Sequence, residues 1–135
     1  MGSTIEAIEY VFPEKIITNE DLQTEFPDYD FKRFEQKVGI ASRYVVAKNE
    51  TGLDLAVKAC QKLFDRNINK KEVDYILYCT QSPEYFLPTT ACILQDKIEL
   101  EKNIGAFDFN LGCSGYTYGL SFAKALIESG QAKKV

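Results

Sequence analysis

The chain has 135 residues, of which 45% are hydrophobic and 27% charged, the balance of an ordinary soluble globular domain with one modest core. A formal net charge of −4 argues against nonspecific nucleic-acid binding, because no global positive charge offsets phosphate repulsion. No apolar run approaches the roughly 18 residues that span a bilayer, and the N-terminus lacks the charged-then-apolar pattern of a signal peptide, so a cytoplasmic protein without membrane attachment is expected.

Residues 5 to 17 mix β-branched side chains with Pro13 and predict a strand and turn. Thr18-Asn19-Glu20-Asp21 predicts a helix start, with Thr18 as N-cap and Asp21 three residues on. Pro27 bounds that helix. Asp30 caps a second one over residues 31 to 38, with Phe31, Phe34 and Val38 on one face and Gly39 at its end. Residues 43 to 47 predict a short extended piece. Thr51-Gly52-Leu53-Asp54 repeats the start signal, and the helix that follows is expected to bury Leu53, Ala56, Cys60, Leu63 and Phe64.

Residues 69 to 72 form a polar connection. The dense apolar run VDYILYCT (73 to 80) predicts a strand covered on both faces. A loop with Pro83 and Pro88 leads to a helix over about residues 89 to 98, and IGAFDFNL predicts a second covered strand. Helix, strand, helix, strand, helix in this order indicates an α/β layer with parallel strands.

The last predicted helix, residues 114 to 130, is apolar around its whole circumference, with Lys124 and Glu128 its only charges before the end. A helix apolar all round is buried all round. A chain this short rarely encloses a whole helix, so this one is expected to pack on protein outside the chain. Gly130 closes it, Lys133 and Lys134 suit its C-terminal dipole, and Val135 is expected to open a further strand. The chain therefore reads as one domain, residues 1 to 135, cut from a longer protein.

The four cysteines, Cys60, Cys79, Cys92 and Cys113, form no C-x-x-C pair, and no histidine is present to complete a zinc site, so no metal is expected. Cys60, Cys79 and Cys92 lie in apolar runs and read as small hydrophobes. Cys113 differs. Gly112-Cys113-Ser114-Gly115 stands where a strand meets a helix, and its glycines suit a sharp turn and a close approach of substrate. A cysteine at the first turn of a helix faces N–H groups without helical partners and the positive end of the dipole, both of which favour thiolate. The same N–H groups suit an oxyanion. Cys113 is thus a candidate nucleophile and backbone oxyanion donor, against the plain alternative of a buried structural thiol.

Several stretches carry a resemblance. FPE (12 to 14), TNEDL (18 to 22), VGIASR (38 to 43), VDYILYCTQSP (73 to 83), LPTTACILQ (87 to 95) and NLGCSGYTYGLSFAKALIESG (110 to 130) follow one another in family order. Together they resemble the N-terminal half of a β-ketoacyl-acyl-carrier-protein synthase III, in the thiolase-like superfamily. The resemblance implies an α-β-α-β-α fold of five layers, of which this chain supplies one half, with the cysteine helix in the middle. It implies that Cys113 accepts an acyl group from acyl-coenzyme A or acyl carrier protein and passes it to a decarboxylating malonyl unit on the carrier. No cofactor is implied. The catalytic His and Asn of the family lie in the other half, so the chain alone is expected to be inactive.

The resemblance further implies a homodimer in which Leu87, before Pro88, lines the neighbour's acyl pocket; an ordinary loop leucine is the alternative. Where the family commonly has Trp and Arg for coenzyme A and carrier contacts, this chain has Arg33 and Lys37. At i and i+4 they share a helix face, either a basic pair for phosphate or a solvated face. A carrier-bound first donor, or a specialised pathway, then becomes plausible. Two other classes remain: a stand-alone thiol or redox domain, and a noncatalytic dimerisation module.

Overall fold

A computed structural model describes residues 2–135. The chain divides into two compact units: Phe12–Thr51, and Gly52–Val135 with the chain up to Val11.

The first unit pairs β1 (Lys15–Thr18) antiparallel with β2 (Ser42–Val45), with α1 (Asn19–Glu25) and α2 (Phe31–Val38) between them in sequence. Thr18 caps α1 as expected: its hydroxyl accepts from the Asp21 amide at 3.1 Å, and the Asp21 carboxylate accepts from the Thr18 amide at 2.8 Å. The bond from the Thr18 amide, and next one that the Thr18 hydroxyl donates to the same carboxylate at 2.8 Å, hold the Asp21 carboxyl below the ordinary carboxylate range, with Lys15 adding a smaller effect in the same direction. Asp30 accepts from the Arg33 amide, and Gly39 ends α2 in the left-handed region at φ 77°, where a side chain would be strained.

Asn19 organises this unit. It is 4% exposed. Its amide nitrogen donates to Glu35 Oε2 (2.8 Å) and to the Ile40 carbonyl (2.9 Å), and its side-chain oxygen accepts from Arg43 (2.6 Å). A buried amide is tolerated when its polar atoms are paired in this way.

In the second unit, α3 (Gly52–Asp65), a 3₁₀ turn (Lys70–Glu72), β3 (Tyr75–Cys79), α4 (Thr90–Lys97), β4 (Gly105–Phe109) and α5 (Gly115–Glu128) follow in order. The strands pair in parallel, from Tyr75 opposite Gly105 to Cys79 opposite Phe109. Strand alternation sends Ile76 and Tyr78 toward α3 and α4, where Leu53, Leu94, Ile98 and Leu100 form the buried cluster. Each such side chain contributes about 1.5–3 kcal/mol. On the opposite face Phe107 and Phe109 meet Phe122 of α5 edge-on, with ring centroids at 6.5 and 5.8 Å. The result is a helix–sheet–helix layering. After α5 the chain returns to the sheet: the Asp74 amide donates to the Lys134 carbonyl at 2.9 Å, and the Asp74 carboxylate accepts from the Lys133 and Lys134 amides.

Some expectations need correction. Of residues 5–17 only 15–17 form strand; Ile5, Ile8 and Tyr10 are exposed, and the stretch is held by contacts other than a strand ladder, among them the Lys62 ammonium donating to the Tyr10 carbonyl at 3.2 Å. The polar connection at 69–72 contains a 3₁₀ turn, which the Asn69 side chain starts by accepting from the Lys71 amide. Val38 is exposed, while Phe31 and Phe34 are half-buried around Tyr29. Cys79 and Cys92 are exposed rather than core residues. Cys79 ends its strand at the sheet margin, and the Cys92 thiol lies near the Ala106 carbonyl. Cys60 is half-buried, and burial pushes its thiol pKa up. Among the described residues no helix is long and apolar enough to cross a membrane.

Candidate active site

Because β3 and β4 are parallel, the segments that leave them emerge on one edge of the sheet, at the strands' carboxyl ends. Ligand sites of open α/β sheets collect at that edge. The segment after β3 carries Leu87, and the segment after β4 carries Cys113.

Cys113 sits in a tight turn. The Gly115 amide donates to the Gly112 carbonyl at 2.8 Å, which makes Cys113 and Ser114 the two central residues. Ser114 is the N-cap of α5, and the Tyr118 amide donates to its carbonyl at 3.0 Å. Cys113 therefore stands two residues ahead of the helix, not in its first turn. Ser114, with φ −71° and ψ −12°, already has helical backbone angles, so sequence signals place the start a residue or two early. The cysteine is exposed, near the positive end of the α5 dipole.

Neither flanking glycine serves the turn through a left-handed backbone: the positive-φ glycines are Gly39 and Gly130. Gly115 is closely packed: a Cβ there would stand 2.4 Å from Cys79 Sγ, so the thiol or the helix would have to shift. The same Cys79 thiol donates to the Leu111 carbonyl at 3.6 Å. Cys79 thus touches the cysteine turn on both sides, an arrangement with no local sequence signal. Gly119 lies close to Phe109 in the same way, its Cβ position 3.2 Å from the ring.

Around the turn the exposed surface is aromatic and apolar. Tyr116, Tyr118, Leu120 and Phe122 of α5 are all exposed, as are Tyr85, Phe86 and Leu87 in the loop after β3. The α5 surface is consistent with the circumferential apolar pattern of its sequence. Burial, with smaller effects from the Glu84 and Asp108 charges, pushes the Tyr78 hydroxyl pKa up. Arg33 and Lys37 are exposed on α2 and belong to the other compact unit. Among the described residues no group of three or more His, Cys, Asp and Glu side chains is placed to hold a metal ion.

A family model described as 3-oxoacyl-[acyl-carrier-protein (ACP)] synthase III matches residues 107–135, the stretch that contains Cys113. The β-ketoacyl-[acyl-carrier-protein] synthase III of Campylobacter jejuni is 39% identical over 137 residues, covering 100% of this chain and 42% of the relative. A crystal structure of 3-oxoacyl-(acyl-carrier-protein) synthase III superposes with a TM-score of 0.89 at 43% identity, over 98% of this chain and 40% of that one. The synthase III of Thermus thermophilus gives 0.86 at 34% identity, over 96% and 40%. The chain thus shares the thiolase-like α/β fold and spans about two-fifths of the length of the proteins it matches.

Proposed function

From a chain similar end to end to β-ketoacyl-acyl-carrier-protein synthases III, we infer that the whole gene product is a condensing enzyme and that Cys113 is its acyl acceptor. The observation that carries this is the position of Cys113: exposed, in a tight turn between strand and helix, inside the segment that the family model matches.

In the first half-reaction the Cys113 thiolate attacks the carbonyl carbon of an acyl thioester, on coenzyme A or on acyl carrier protein. The new C–S bond gives a tetrahedral oxyanion, which the Cys113 backbone N–H helps to hold. A single donor of this kind is worth about 10²–10³ in rate. Collapse breaks the old C–S bond, and the departing thiol takes up the proton. In the second, malonyl-acyl carrier protein loses carbon dioxide. The electron pair of the broken C–C bond forms an enolate, which attacks the Cys113 thioester. Cys113 leaves as thiolate and β-ketoacyl-acyl carrier protein is released.

No cofactor or metal enters this sequence. The chain holds no histidine; the His and Asn that polarise the malonyl thioester belong to the remainder of the gene product, so these 135 residues alone are inactive. Arg33 and Lys37, four residues apart on α2, supply positive charge for the phosphates of coenzyme A or the carrier's phosphopantetheine. Arg33 stands where an aromatic would stack on the adenine of coenzyme A, and lysine cannot form the bidentate fork of arginine; together these favour a carrier-bound first donor. Leu87 lines the acyl pocket of a second copy in a cytoplasmic homodimer.

The test incubates the whole gene product with an acyl thioester and malonyl-acyl carrier protein. Formation of a β-ketoacyl carrier with stoichiometric carbon dioxide supports the reading. Rapid sulfenic acid formation at Cys113 in peroxide, with no condensation, would replace it with thiol redox chemistry.

A further inference from the structure

The loop between β3 and α4 is tied at its base and free at its tip. The Glu84 amide donates to Thr90 Oγ1 at 3.2 Å, which closes residues 84–90 into a loop. Thr90 is 1% exposed. The Thr90 and Ala91 amides then donate to separate carboxylate oxygens of Asp108, both at 2.6 Å. Meanwhile Tyr85, Phe86 and Leu87 project outward, at 62%, 101% and 81% exposure.

The source of this cap is informative. A helix starting at Thr90 has a threonine at its N-cap position, but Thr89 makes no side-chain cap bond; its hydroxyl donates to Cys92 Sγ instead. A local cap would satisfy the helix and link it to nothing else. Asp108 satisfies the same amides from a neighbouring strand. It lies in β4 opposite Tyr78, five residues ahead of Cys113. Charge-assisted bonds to backbone amides are short and strong. They fix the start of α4, and through Thr90 the base of the Leu87 loop, to the strand that delivers the cysteine.

The geometry points to Asp108 and Thr90 as positioning residues that tie the base of the Leu87 loop to β4 and so hold Leu87 at a fixed depth in the second copy's acyl pocket, which sets the acyl-chain-length selectivity of that site. The proposal rests on the reading of Cys113 and Leu87 given above. Neither positioning side chain needs to touch substrate. Loss of either link leaves the nucleophile in place and lets the loop shift, so selectivity changes more than intrinsic thiol reactivity.

The experiment uses the whole gene product and the variants Thr90→Val, Thr90→Ser and Asp108→Asn. Valine keeps the buried volume of threonine and removes the acceptor for the Glu84 amide, whereas serine keeps the acceptor. In Thr90→Val the Glu84 amide should exchange with deuterium on the order of tenfold faster, and Thr90→Ser should restore its protection. The ratio of Cys113 acylation by acetyl and octanoyl thioesters should shift several-fold in Thr90→Val and Asp108→Asn but not in Thr90→Ser. Alkylation of Cys113 by iodoacetamide should stay within about twofold throughout, as expected for a shift in loop position alone. An unchanged acylation ratio in Thr90→Val overturns the proposal, even if Asp108→Asn fails to fold. Failure of the unsubstituted protein to acylate overturns the functional reading, and the proposal with it, before any variant is compared.

Discussion

Gly115→Ala tests how the cysteine turn is held. A Cβ at position 115 would lie 2.4 Å from Cys79 Sγ and 3.4 Å from Leu111 Cβ. The first distance lies roughly 1.1–1.6 Å inside an ordinary nonbonded separation of about 3.5–4.0 Å. Either Cys79 turns away, breaking its bond to the Leu111 carbonyl, or α5 moves off the end of β3. Overpacking of this size costs about 1–3 kcal/mol. Replacing glycine in a helix returns up to about 1 kcal/mol, and less at the first helical position. The net loss should be about 1–2 kcal/mol, read as a lower urea midpoint at unchanged m. Cys79→Ala removes the sulfur and leaves only Cys79 Cβ, at an ordinary 3.8 Å. The double variant should therefore recover most of the loss, with a coupling energy of about 1 kcal/mol or more in a double-mutant cycle. Gly115→Ala at parental stability, or a loss that Cys79→Ala does not relieve, would refute the claim that this contact shapes the turn.

Asn19→Ala should cost about 2–3 kcal/mol by chemical denaturation, because it leaves Glu35, the Ile40 carbonyl and Arg43 without a shared partner; a cost below about 0.5 kcal/mol would contradict its central place. Asp74 gives a pH dependence. Its carboxyl is held below its ordinary value of 3.8, first by the Lys133 amide and next by the Lys134 amide. The stabilising contribution is therefore fully present above that value and is lost as pH falls through the lowered folded-state pKa. Amide exchange at Lys133 and Lys134 should accelerate in acid beyond the intrinsic rate, and Asp74→Asn should remove that acid dependence. Protection that is flat from neutral pH to below about pH 3 would show that the carboxylate does not hold the segment.

Local signals carried much of the fold. The Thr18–Asp21 box, the Asp30 cap and Gly39 stop, and the strand–helix–strand order around β3, α4 and β4 were legible because each depends on neighbours a few residues apart. Asn19 was not legible as a hub, since Glu35, Ile40 and Arg43 reach it only after α2 has folded back. The Asp108 cap on α4 was hidden for the same reason, and so was the dependence of Gly115 on Cys79 from the preceding strand. At the candidate site, the strand–turn–helix setting marked Cys113. Its offset from the helix was not legible, because Ser114 rather than the cysteine takes the cap position. The exposure of Cys79 and Cys92 could not be read from apolar neighbours in sequence, because strand ends and helix faces are assigned only in three dimensions.

The most direct test of Cys113 as acyl acceptor is site-resolved mass spectrometry of the whole gene product after brief exposure to an acyl thioester. The account predicts a single acyl adduct on the peptide that contains Cys113, released by hydroxylamine and absent in a folded Cys113→Ala variant. An adduct at Cys60, Cys79 or Cys92 with Cys113 unmodified, or condensation that persists in Cys113→Ala, would contradict it.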